Sequence, residues 1–299
     1  MEYNEEVANL MDKGFKNLKK AKFDKSLEYY FKALSIEPEN PVILSNIAQT
    51  YNIIGKEDLS RDYHEKIISI CEDSTEERNL LLKGHSQISL EMFDEAKVSF
   101  SELLKINLER DKDILYLAGF LRQNEDYIHS NELLDLIINE NPDENFLYIA
   151  KASNYEDLKE YRKAEGEYNR ILKNDPENEI AIKLKGELFI ETKETEKLEK
   201  HIKESYIRNP KSIETFLLDF KINFLNEEFD QCEVILNQAL SYDKENDELW
   251  FKKGEICIIR GNIDEAIKYF KKAFKYNPQS GNMKNKKDFF KMLKYLKKL

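Results

Sequence analysis

Five of the six prolines close similar phrases: IEPEN at Pro38, ENPDEN at Pro142, NDPENE at Pro176, RNPKS at Pro210 and YNPQS at Pro278. Pro142, Pro176 and Pro210 follow one another at 34 residues. Pro278 lies two such periods beyond Pro210, and Pro142 lies three periods plus two residues beyond Pro38. A fixed period of this length means that one supersecondary unit is laid down repeatedly, and it outranks any local reading. The two surplus residues are placed near Cys71–Thr75.

Each period holds two helical patterns. In the second pattern of the opening stretch, Phe23, Ser26, Tyr30 and Ala33 recur at three and four residues, so they share one helical face. The proline that follows has no amide to continue the helix. Pro41 falls where the next helix should begin, a position that proline tolerates. Only 9 Gly and 6 Pro occur, too few for a turn-rich β fold. The 17 Phe and 16 Tyr argue against disorder despite 35% charged residues.

The phrase 249–278 is the most regular. Trp250, Gly254, Gly261, Ala266, Phe270, Ala273 and Pro278 stand at the offsets that two close antiparallel helices need, small residues at the crossing and large ones beside it. This pattern resembles the tetratricopeptide repeat. The resemblance extends over roughly residues 7–280 in about eight repeats, opening near Val7, Pro41, Glu77, Asp111, Asn145, Glu179, Ile213 and Asp247. The small site of the first helix is held by Gly14, Ala48, Gly84, Ala118, Ala152, Gly186, Phe220 and Gly254. Phe220 is bulky there, Leu198 and Ser205 weaken the sixth repeat, and a leucine usual beside the small site is lysine at Lys13, Lys83, Lys151, Lys185 and Lys253. The implied fold is an all-α, right-handed superhelical solenoid of helix-turn-helix units.

The resemblance also implies a function. First helices line a concave groove where such proteins bind a partner peptide or domain. Helical spacing projects into that groove Asn46, Gln49, Arg78, Leu81, His85, Leu115, Tyr116, Arg122, Ile149, Lys183 and Glu187, with Leu217, Lys221, Phe251 and Glu255 in the last repeats. Of the carboxylate clamp that grips acidic chaperone tails, only Asn46 and Arg78 are in place. Met11, Phe15 and Leu82 occupy the other positions, so such tails are not the expected partner. Tyr116, Arg122 and His85 are expected at the surface, whereas Leu82, Leu184 and Leu218 are read as packing between repeats.

Residues 1–6 read as an acidic N-terminal extension. Residues 281–299 form a basic amphipathic helix with Phe289, Leu293, Leu296 and Leu299 on one stripe, read as a cap over the last repeat. The alternative is that its lysines serve nucleic acid or a membrane surface. A net charge of −11 speaks against general nucleic-acid binding. No signal peptide or membrane span is visible, and three scattered cysteines suggest no disulfide framework, so a cytoplasmic location is expected. Phosphate loops, dinucleotide fingerprints, zinc spacings and nucleophile motifs are absent from the sequence. His201 and Glu204, three apart on a helix, read as a solvated pair rather than a metal site, and His64 as a core residue. The expectation is a non-catalytic scaffold without metal or cofactor, able to self-associate through an unsealed end.

Overall fold

A computed structural model describes residues 4–282 and 286–296. Met1–Tyr3 of the expected extension and Leu299 of the expected apolar stripe lie outside these residues, as does the Leu296 side chain. Among the described residues there are seventeen α-helices and no strand. They form two compact units, one ending at Leu158 and one beginning at Lys159.

The first unit holds α1 (Glu5–Leu18), α2 (Phe23–Ile36), α3 (Pro41–Ile53), α4 (Glu57–Ile70), α5 (Glu77–Ser89), α6 (Phe93–Ile106), α7 (Asp111–Gln123), α8 (Tyr127–Glu140) and α9 (Asn145–Asp157). The second holds α10 (Tyr161–Asn174), α11 (Glu179–Glu191), α12 (Thr195–Arg208), α13 (Ile213–Leu225), α14 (Phe229–Tyr242), α15 (Asp247–Ile259), α16 (Ile263–Tyr276) and α17 (Lys286–Leu296). Short links make consecutive helices antiparallel neighbours, as in α1/α2, α3/α4, α5/α6, α7/α8, α11/α12, α13/α14 and α15/α16. From α3 onward, each first helix opens at the residue where the period places it. The first differs: α1 starts at Glu5, capped by the Asn4 side chain, so Glu5 and Glu6 are helical rather than an extension. Two acids in a first turn complement the positive end of the helix dipole, which explains the earlier start.

The chain turns over within each unit in one way. Ala21, Gly55, Glu91, Glu125, Lys159, Lys193, Glu227 and Gly261 all have positive φ, between 53° and 75°. Most links from a second helix to the next first helix have four residues, as in Glu37–Asn40 and Asp243–Asn246. The link after α4, residues 71–76, has six, which is where the surplus pair went. Several of these links end in a side chain that caps the next helix: Asn40 accepts from the Val42 and Ile43 amides, Asn178 from Ala181, Ser212 from Thr215 and Asn246 from Leu249.

Packing within a pair repeats one contact. A methyl group on Gly254 would lie 2.6 Å from the Phe270 ring, so only glycine lets α15 and α16 close. Four second helices add a hydrogen bond twelve residues back. The Ser26 hydroxyl donates to the Gly14 carbonyl at 2.9 Å, Ser60 to Ala48 at 3.0 Å, Ser130 to Ala118 at 2.8 Å, and the Cys232 thiol to Phe220 at 3.7 Å. Gly186 departs from the pattern, since its close neighbour is Leu218 of α13 and not a residue of α12. At the end of the second unit, Phe289, Phe290 and Leu293 of α17 pack against Phe251, Phe270 and Phe274, with Leu293 wholly buried.

Candidate partner-binding groove

The expected groove residues fall into two groups. In the first unit, Gln49 on α3, Arg78 and His85 on α5, and Tyr116 on α7 are exposed, Tyr116 to 74%. Leu81, Leu115 and Ile149 are half-buried. The Asn46 amide turns back to donate to the Val42 carbonyl at 2.8 Å. Arg78 lines a hollow of about 620 Å³ beside Pro38, Pro41 and Ile70. His85 reaches water, yet protein dense around it lowers its pKa by desolvation.

Arg122 holds two helices together. Its guanidinium donates to the Asn154 side-chain Oδ1 and, at 2.6 Å, to Asp157, both on α9. That position joins α7 to α9, with the Arg122 side chain still 36% exposed. A correction concerns His201. It is 2% exposed, not solvated, and its Nε2 lies 2.9 Å from the Ile182 carbonyl. Since a carbonyl can only accept, Nε2 carries the proton. No group of three His, Cys, Asp or Glu side chains placed to hold a metal occurs among the described residues.

In the second unit the structure brings Lys183 and Glu187 together with residues of two further first helices. A hollow of about 350 Å³ is lined by Lys183 and Glu187 of α11, Glu214, Leu217, Phe220, Lys221, Phe224 and Leu225 of α13, and Glu248, Lys252 and Glu255 of α15. Its floor is apolar, with Leu225 62% exposed. Its rim alternates in charge. Lys183 lies 3.6 Å from Glu214, Lys221 4.0 Å from Glu187, and Lys252 3.0 Å from Glu255. Burial raises the pKa of the Glu214 carboxyl, and Glu248 and Glu179 add to that, while Lys183 opposes it.

The sequence projection contained Lys183, Glu187, Leu217, Lys221 and Glu255 but missed Glu214, Phe220, Phe224, Leu225, Glu248 and Lys252. The signal for some was present. Phe224 and Leu225 follow Lys221 by three and four residues, the next turn of the same face. Phe220 was read only as a misfit at a small site; it is buried at its base and lines the hollow. Phe251 does not belong to this hollow, because it packs with Phe270 and Phe289.

The basic C-terminal helix is accounted for differently. The apolar residues that a lipid-binding helix would present, Phe289 and Leu293, are those that cover the α15/α16 pair. No helix among the described residues is long and apolar enough to cross a membrane.

The sequence profile of the tetratricopeptide repeat matches residues 247–280, which are α15 and α16 with their flanking links. No curated protein matches the chain. Solved structures do. A thermophilic tetratricopeptide repeat protein of Thermus thermophilus is 18% identical over 63% of this chain and 100% of its own, with a TM-score of 0.45. A tetratricopeptide repeat protein of Parabacteroides merdae is 15% identical over 99% of this chain and 100% of its own, with a TM-score of 0.39. PilF of Pseudomonas aeruginosa is 17% identical over 71% of this chain and 96% of its own, with a TM-score of 0.41. Tetratricopeptide repeats generally serve as scaffolds for protein–protein interaction. Residues 247–280 are thus matched as one tetratricopeptide repeat, and its turn residue, its small crossing site and its helix lengths recur in both units.

Proposed function

We propose that this chain is a non-catalytic scaffold that binds a peptide segment of a partner protein in the hollow formed by α11, α13 and α15. The observation that carries this reading is an apolar floor of half-buried Leu217 and Phe224 and exposed Leu225 inside a rim of paired charges. Such a surface suits a segment that inserts one or two large apolar side chains and meets the rim with polar contacts. Three lysines face four glutamates there, and Glu248 pairs with no lysine among the described residues. A basic residue beside the apolar anchor of the partner would complement it. The hollow is preformed, so the segment bears most of the ordering cost.

Selection of a random displayed peptide library on the intact protein tests this. Enriched peptides are expected to carry a large apolar residue next to Lys or Arg. A Leu217→Asp/Leu225→Asp variant should bind them at least about tenfold more weakly, the equivalent of about 1.4 kcal/mol. A Tyr116→Ala variant reports whether the first unit takes part. Equal binding by the wild type and the Leu217/Leu225 variant would sink the assignment of the hollow.

A further inference from the structure

Lys151, Lys185 and Lys253 occupy one register of the repeat, and the residues sixteen before them are Asp135, Asn169 and Asn237. Two of these lysines are satisfied in the same way. Lys151 donates to Asp135 at 2.5 Å and Lys253 to Asn237 at 2.6 Å. Lys185 does not follow them. It makes no hydrogen bond or ion pair among the described residues, and its ammonium lies 5.6 Å from the centre of the Phe189 ring. Asn169, its counterpart, lines an open hollow of about 310 Å³ together with Lys185, Lys197, Lys200, His201 and Glu204.

The cause is one residue further round the repeat. Over Lys253, the space is covered by Tyr269, whose ring centre is 4.8 Å from the ammonium. The residue at that register in the sixth repeat is His201, which turns inward to the Ile182 carbonyl. The smaller, inward ring leaves the gap between α10 and α12 open above Lys185. Two carboxylates line this gap. Glu165 already holds Lys197 at 3.0 Å, and Glu204 stays 3.9 Å from Lys200. Lys185 is thus a half-buried cation without a counterion among the described residues. Burial holds its pKa below the ordinary lysine value, opposed by Glu165 and Glu204 and reinforced by Arg208 and Lys197.

We infer that this hollow binds a small oxyanion, a phosphate or a carboxylate, with Lys185 as the main donor and Lys200 and Asn169 as secondary donors. The His201 ring takes no part as a donor, because its one proton is engaged with Ile182. A charge-assisted hydrogen bond from a partly desolvated ammonium is stronger than one from a solvated lysine, and this favours Lys185 over the lysines on open faces. The site lies between second helices, apart from the hollow on α11, α13 and α15.

The test is nuclear magnetic resonance on the full chain labelled at lysine Cε, titrated at constant ionic strength. One arm uses inorganic phosphate and the other succinate. The Lys185 signal should shift saturably in at least one arm, and the arm that responds names the anion. Lys185→Met should weaken binding at least about tenfold. Glu204→Gln, which removes a competing carboxylate, should tighten it. If Lys185→Met fails to fold, the wild-type Lys185 signal and the Glu204→Gln variant decide. A Lys185 signal that moves no further than that of exposed Lys173 in both arms overturns the proposal, as does unchanged affinity in a folded Lys185→Met.

Discussion

Of the eight left-handed turn residues that lie between helices from α1 to α16, only Gly55 and Gly261 are glycines. A side chain in this region costs about 1–2 kcal/mol, because its Cβ crowds the following carbonyl. Glu125→Gly is therefore expected to raise the unfolding free energy by about 0.5–1 kcal/mol in urea titration, after glycine's greater unfolded-state entropy is deducted. A loss would mean that the Glu125 side chain makes a contact worth more than the strain. Two buried histidines act at the same scale. Desolvation lowers the pKa of His64 to about 4, with the His85 charge adding to it, and that of His201 to about 4. An unfolded histidine titrates near pH 6.5. Above that value both states are neutral and the full stability is present. As pH falls from about 6.5 towards 4, only the unfolded chain takes up the proton, and each histidine costs about 1.4 kcal/mol per pH unit. Unfolding measured at pH 7 and pH 5 should show this slope in the wild type and a shallower one in His201→Gln. Identical slopes would remove His201 from the account.

At the scale of helices, much was legible in the sequence and some was not. The proline period located the first residue of α3, α5, α7, α9, α11, α13 and α15, because link length and helix length are both held constant by the packing of identical pairs. It missed the start of α1, which opens two residues before the period places it. Periodicity assigns a residue to a face but says nothing of where a long side chain ends. That is why Arg122 was expected in the groove but reaches α9, and why Lys151 and Lys253 were read as departures when both anchor a neighbouring helix. The hollow of the second unit was half legible, since the projection named five of its lining residues but followed the face for too few turns. The last helix carries a prediction of its own. Leu293 is completely buried against the aromatic cluster of α15 and α16. Leu293→Asp would bury a charge without a partner or detach α17, and should cost about 3 kcal/mol in chemical unfolding. The exposed Phe270 and Phe274 should also make the apparent mass rise with concentration in light scattering. A variant with unchanged stability would show that α17 does not cover the array.

Within each unit, among the described residues, the helices that pack most closely lie one or two places apart along the chain. Stability in such an array is close to a sum of local terms and nearest-neighbour terms, and damage should spread only as far as its neighbours. Phe270 offers a severe local lesion, being 1% exposed between Phe251 and Phe289. Phe270→Ala leaves a cavity worth about 3–5 kcal/mol, enough to open α15 and α16 on their own when a whole domain has only about 5–15 kcal/mol. Hydrogen exchange should then show the amides of α15 and α16 losing protection by several orders of magnitude. The amides of α1 to α4, whose core is Val7, Tyr30, Ile43 and Ile47, should exchange as in the wild type. The helices that line the candidate groove stand between these extremes. α15 would be lost with the lesion, α13 would lose one neighbour, and α11 would keep its own, α10, α12 and α13. Peptide binding should therefore fall in the same variant even though Phe270 does not line the groove. If protection drops evenly from α1 to α16 instead, the chain unfolds as one unit and the local account is wrong.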